Sequence, residues 1–329
     1  MQRIPCSVSQ KLFMIVLAYA LFAGPAFAAM SNADFFELCK TGSAQQVASA
    51  IQKGANINAL NERKRTPLML AARYNPNPEV ITALIKAGAN LNARDSIGWT
   101  PFAWAASDNR NPEVIAAFIK AGANVNTKDR DGWTPFMRAA RRNPNPEAIA
   151  ALIKAGANAN VRDNNGRTVL MWAASDNRNP EVIAALITAG ADVNARDNSG
   201  RTALMSAIGS NPNPLVIVVL INAGADVNAI SGRTGRPPLI AAAHEHEPEV
   251  IIALITAGAD VNARDREGWT PLILAAMTNS NPGVITALLE FGADPKAKNR
   301  FGRMAIDHAR KNRFLKGTDA LKRLEKVSR

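Results

Sequence analysis

Apolar and polar positions along this chain follow a pattern that restarts about every 34 residues. In "TPFAWAASDN", Phe102, Ala105 and Ala106 fall at i, i+3 and i+4 and mark one face of a short helix. Thr100 is a suitable N-cap for it, and Pro101 occupies the first helical position, where a missing N–H costs nothing. A second helix opens at "NPEVI", with Asn111 as N-cap, Pro112 at its first position and Glu113 against the helix dipole. Val114, Ile115, Phe118 and Ile119 form its apolar face, and Gly122 ends it. "ARDSIG" follows as an extended turn, so each unit predicts two short helices and a finger.

The units begin at Thr66, Thr100, Thr134, Thr168, Thr202, Pro237, Thr270 and Met304, at spacings of 34, 34, 34, 34, 35, 33 and 34. The 35 reflects an enlarged turn at 230–237, and the 33 a residue missing near "HEHEPEV" (244–250). Self-similarity at this period specifies an all-α solenoid, because one helix pair cannot bury its apolar face alone. Superposed on it is a longer repetition. "WAASDNRNPEVIAAFI" (104–119) and "WAASDNRNPEVIAALI" (172–187) differ only at Phe118 and Leu186 and start 68 residues apart. "NPEVIAALI" recurs because every second helix must be capped and buried alike. The "W…SDNR" text is not required by that scaffold, and function is expected there.

The T-P-L/F opening, the Ala-Ala pair, the A-G-A-[ND]-[VLI]-N-A segment and the D-x-x-G turn, repeated in phase, resemble the ankyrin repeat family over about residues 32–329. The resemblance implies an ankyrin-repeat solenoid. The expected division is a signal peptide over 1–28 and, within the resemblance, an N-terminal capping repeat over 29–63, seven central repeats over 64–301 and a basic C-terminal capping repeat over 302–329. It also implies a non-catalytic protein that binds a protein partner on a concave face. Two departures stand out. Met69, Ala103, Met137, Met171, Met205, Ile240 and Ile273 replace the family's usual His, and Asn/Pro text replaces its Gly-His turn.

Composition adds a compartment and an asymmetry. Arg3 and Lys11, the apolar run 12–23 and "AFA" at 26–28 have the layout of a cleaved secretory signal. A run of twelve is too short to span a bilayer, which takes about 20 residues. An exported protein is expected, periplasmic or else secreted, with no transmembrane segment after cleavage. Cys6 leaves with the leader, so Cys39 stands alone and no intrachain disulfide forms. The net charge of +12 is concentrated at one end: after Asp294 twelve Lys/Arg face three Asp/Glu, while 29–294 sum to only +1.

No catalytic motif is present: no phosphate loop, no G-x-S-x-G and no Cys/His pair. Enzymatic activity, a cofactor and a metal are not expected. His244 and His246 with Glu245 and Glu247 have ligand chemistry, but read more simply as a solvated turn. The candidate site is instead a surface on the first helices. The residue before each Ala pair and the two after it share a face, giving Trp104/Ser107/Asp108, Arg138/Arg141/Arg142 and Trp172/Ser175/Asp176 in the middle units. Neighbouring first helices at about 8–10 Å place Trp104 and Trp172 on either side of Arg138, and Asp108 and Asp176 on either side of Arg141 and Arg142. This set is either an internal cation–π ladder or an anchor for a partner. A second row follows each turn glycine: Trp99, Trp133, Arg167, Arg201, Arg236, Trp269 and Arg303. By the resemblance that row is exposed and faces the partner; otherwise it covers the neighbouring turn. The tail 300–329 is either the polar outer face of a cap, with Ala320, Leu321, Leu324 and Val327 as its apolar stripe, or a contact for an anionic surface. Nucleic acid is not an expected partner, and a monomer is the expected state.

Overall fold

The computed structural model describes residues 30–232 and 235–329; the expected leader, 1–28, lies outside them. Among the described residues there are nine helix pairs and no strand, only an isolated bridge between Arg162 and Thr168. The first helices are Asn32–Thr41, Pro67–Tyr74, Pro101–Asp108, Pro135–Arg142, Val169–Asp176, Ala203–Ser210, Pro238–Ala242, Pro271–Thr278 and Ala305–Ala309. The second helices are Ala44–Gln52, Pro78–Lys86, Pro112–Lys120, Pro146–Lys154, Pro180–Thr188, Pro214–Asn222, Pro248–Thr256, Pro282–Glu290 and Asp319–Val327. First helices pack on first helices of the adjacent pairs and second helices on second, so the pairs stack in chain order. None of the helices is long and apolar enough to cross a membrane.

The local rules of the sequence account for these boundaries. Thr100 Oγ1 accepts the Ala103 N–H at 3.2 Å, and Asn111 Oδ1 accepts the Glu113 N–H at 3.0 Å. At the other end Ala121 is the cap and Gly122 the next residue, with φ of 83°. The Ala123 N–H then reaches back to the Phe118 carbonyl at 3.0 Å, closing the turn that only a left-handed residue permits. Phe102, Phe118, Val114 and Ile115 are buried with the Ala105–Ala106 pair, and one continuous core runs from Phe35 to Leu324. The methyl-sized alanines let successive first helices approach closely, and the larger residues of the second helices fill the space behind.

The pairs are also stitched by asparagine side chains, and this the sequence reading did not anticipate. Asn143, buried at the end of its first helix, donates from Nδ2 to the Ala106 and Asn109 carbonyls of the preceding pair at 3.1 and 2.8 Å. Its Oδ1 accepts the Asn145 N–H at 3.0 Å. Asn75, Asn109, Asn177, Asn211, Asn279 and Asn312 do the same at their own levels. Each satisfies two buried carbonyls at a helix end, which otherwise stay orphaned. Where the 33-residue spacing falls, the first helix shrinks to Pro238–Ala242 and His246 Nε2 takes over a single contact, 2.8 Å from the Ile208 carbonyl.

Candidate functional site

The fingers set the geometry of the central face. In the fingers of Asp95, Asp129, Asp163, Asp197 and Asp265 the aspartate accepts two backbone N–H groups with one oxygen; Asp95 Oδ1 takes those of Ile97 and Trp99 at 3.1 and 2.9 Å. Its other oxygen points at the first helix, where Trp104 Nε1 donates to Asp95 Oδ2 at 3.1 Å. Asp163 and Trp172 repeat this at 3.0 Å. In the pair between them Arg138 stands in the tryptophan's place and donates from Nη2 to Asp129 Oδ2 at 2.5 Å. Trp and Arg are thus alternative donors to one finger carboxylate, nine residues upstream in every case.

These donors slot between finger residues of adjacent levels and form a column of seven planar side chains. Arg65 lies 4.2 Å from Trp104, and Trp104 lies 4.4 Å from Trp99. Arg138 is sandwiched by Trp99 and Trp133 at 4.1 and 4.0 Å. Trp133 lies 4.2 Å from Trp172, and Trp172 4.6 Å from Arg167. The order is therefore Arg, Trp, Trp, Arg, Trp, Trp, Arg, and two indoles separate each cation from the next. Burial pushes the Arg138 guanidinium below its ordinary range, opposed by the bond to Asp129. Its Nε is buried without a hydrogen-bond partner among the described residues.

Several expectations need correction here. Arg138 is flanked by Trp99 and Trp133, not by Trp104 and Trp172, because the first-helix residue of one level inserts between two fingers. The row after each turn glycine is not uniformly exposed: Trp99 and Trp133 are each 7% exposed, and Trp269 is half-buried, with Nε1 donating to Glu267 at 3.2 Å. Asp176 pairs with Arg141 at 2.8 Å, but Asp108 pairs with Arg73 at 2.6 Å and not with Arg141 or Arg142. Nor is the "W…SDNR" text free of the scaffold. Trp104 and Trp172 belong to the column, Asp108 and Asp176 pair with an arginine of the preceding level, and Asn109 and Asn177 belong to the ladder. Sixteen residues recur at 68 because two levels make one unit of this pairing, arginine from one and aspartate from the next. Arg65 was not among the residues the sequence singled out, although it lies in register with Trp99; Arg167 was, but its contact with Trp172 and the pairing of Arg73 with Asp108 follow only from the stack.

What remains exposed is the rim. Arg142 is exposed and has no partner among the described residues, unlike Arg138 and Arg141. A cleft of about 410 Å³ beside it is lined by Arg141, Arg142, Pro144, Asp176 and Arg178. Tyr74, at the position equivalent to Arg142 two levels away, is 48% exposed. At the other candidate, His244 faces Glu245 at 3.8 Å and His246 is committed to the Ile208 carbonyl. No group of three or more metal-ligating side chains gathers among the described residues. In the tail, Ala320 and Leu324 are buried and Leu321 is half-buried, whereas Val327 is 39% exposed, so the stripe packs through three of its four members.

Compared with known families, the chain matches the one described as ankyrin repeats (3 copies) over residues 35–129, 103–197, 136–231 and 211–299. No curated protein matches it.

Proposed function

The chain belongs to the ankyrin-repeat family, and from that premise we propose that it is a non-catalytic scaffold holding one protein partner on its concave face, with the rim around Arg142 as the contact. Ankyrin repeats mediate protein–protein interaction and are typically non-enzymatic. One observation carries the finer reading: of the three clustered arginines only Arg142 is left exposed and unpaired among the described residues, beside a cleft and above a locked floor. The column beneath fixes the rotamers of the first helices, so docking there loses little side-chain entropy. Arg142, Asp176, Arg178 and Tyr74 offer charge and an aromatic ring where a partner reaches them, and arginine and tyrosine are the types that dominate binding hot spots. Trp99, Trp104, Trp133 and Arg138 act in this proposal as the floor, not as contacts. The layout of residues 1–28 supports an exported, periplasmic protein as part of the same proposal.

The test is capture from a periplasmic extract, followed by titration of the captured protein against the parent chain and Arg142→Glu. Loss of affinity of tenfold or more, with the melting curve unchanged, supports the rim as the contact. Equal affinity of both proteins removes Arg142 from the interface. Failure of the parent to hold any protein refutes the scaffold role in this compartment.

A further inference from the structure

The tetrapeptide Lys-Asn-Arg-Phe occurs twice near the end of the chain, at 298–301 and 311–314, once on each side of the helix Ala305–Ala309. Both copies adopt the same turn. Asn299 and Asn312 are buried, and the Oδ1 of each accepts the N–H of the phenylalanine two residues on, at 3.0 Å in both. The intervening arginine lays its guanidinium 4.9 Å from the ring in the first copy and 4.6 Å in the second. The outcome is a phenylalanine held in water, Phe301 57% and Phe314 44% exposed. Neither turn is free to withdraw its ring. The Arg300 N–H is bonded to the Glu267 carbonyl of the preceding finger, and Asn312 is bonded to the Ala276 and Asn279 carbonyls.

The scaffold does not ask for either ring. Two residues after the ladder asparagine, the other levels place Asn77, Asn111, Asn145, Asn179, Asn213 and Asn281, each capping its second helix. Phe314 stands in that position and caps nothing; the last helix takes Thr318 instead. Phe301 occupies the finger position filled elsewhere by Ile97, Asp131, Asn165, Ser199 and Glu267, mostly polar residues. The exposed phenylalanines among the described residues, Phe291, Phe301 and Phe314, all fall in this last part of the molecule. In the stretches that carry the two rings, Lys298, Arg303, Lys311, Arg313 and Lys316 are exposed and make no ion pair among the described residues.

We propose that this end of the solenoid docks on an anionic lipid bilayer, with Phe301 and Phe314 entering the headgroup–acyl boundary and the surrounding lysines and arginines engaging lipid phosphates. Exposed rings, each beside an arginine in a lysine- and arginine-rich stretch, match the amphipathic, charged interface of a bilayer, where apolar burial and electrostatic attraction add. Two rings on separate turns suit a flat surface better than a polymer strand, which needs a continuous groove of stacking residues. With 29–294 nearly neutral, the field of the molecule orients this end toward a negative surface.

The experiment is flotation of the protein lacking residues 1–28, whose apolar run itself partitions into lipid, with vesicles of phosphatidylglycerol and phosphatidylcholine in equal parts or of phosphatidylcholine alone. Binding to the anionic vesicles only, weakened by salt and cut about tenfold or more by Phe301→Ser/Phe314→Ser, is the expected result. Because both rings are exposed, that variant keeps its melting temperature, and Arg142→Glu floats like the parent. Equal flotation of the double variant overturns the role of the rings. Failure to float with anionic vesicles, or capture of a single-stranded oligonucleotide that such vesicles do not displace, overturns the lipid assignment.

Discussion

Arg138 and the tryptophans at the equivalent positions answer to the same finger carboxylate, so Arg138→Trp should be tolerated where Arg138→Ala is not. The alanine variant removes two cation–π contacts, at 4.1 and 4.0 Å, and the donor to Asp129 Oδ2. The side chain of Arg138 is 13% exposed and that of Asp129 8%, so the interaction is largely shielded from solvent. Breaking a buried pair by removing one partner costs about 3–5 kcal/mol. The lower end applies here, about 3 kcal/mol, because Asp129 Oδ1 keeps the N–H groups of Asp131 and Trp133. A tryptophan at 138 places an indole between Trp99 and Trp133 and its Nε1 toward Asp129, as Trp104 does toward Asp95 at 3.1 Å. Its expected cost is within about 1 kcal/mol, comparable to a volume-conserving swap. The assay is urea unfolding followed by far-ultraviolet circular dichroism, with hydrogen exchange at the helix Pro135–Arg142 to localise the loss. A loss below about 1 kcal/mol for Arg138→Ala would show that burying the guanidinium cancels its contacts. If Arg138→Trp were as damaging as Arg138→Ala, the equivalence of the two donors would be wrong.

Three further outcomes follow from the geometry. Asn143→Ala removes the Nδ2 bonds to the Ala106 and Asn109 carbonyls and leaves both buried, for an expected loss of about 3 kcal/mol in urea unfolding; Asn143→Asp is no rescue, since a carboxylate then faces two carbonyl oxygens. Burial holds the His308 imidazole below its usual range, next to the Trp269 ring at 5.3 Å. A base with a lowered folded value takes up its proton more readily when unfolded, so its contribution is complete above the unfolded value of about 6.5 and is lost as pH falls below it. The end of the solenoid is thus expected to melt earlier at pH 5.5 than at pH 7.5, and His308→Gln to flatten that difference in thermal scans. Burial pushes the Cys39 thiol up to about 12, so it stays a thiol in the fold; a disulfide reagent should label it only once denaturant opens the first helix pair, and rapid labelling of native protein would contradict its burial.

Much of this molecule was fixed by local rules that repeat. Thr-Pro and Asn-Pro start the helices, a left-handed glycine ends them, and apolar residues at helical spacing choose the buried face. None of these needs a distant partner, so the period, the helix pairs and the all-α solenoid were legible in the sequence. The spacing of 33 likewise marked the place where the first helix shortens to Pro238–Ala242. The site was legible only in its membership. Trp104, Arg138, Arg141 and Trp172 stand out by residue type, but which of them touch depends on how far a side chain of one level reaches across the stack. That reach is a tertiary quantity. It put Trp99 and Trp133 around Arg138, joined Asp108 to Arg73, and buried Trp99 and Trp133, which the resemblance implied would be exposed. The asparagine ladder was hidden for the same reason: an Asn before a Pro reads as a local cap, and only the stacked neighbour supplies the carbonyls that its amide binds.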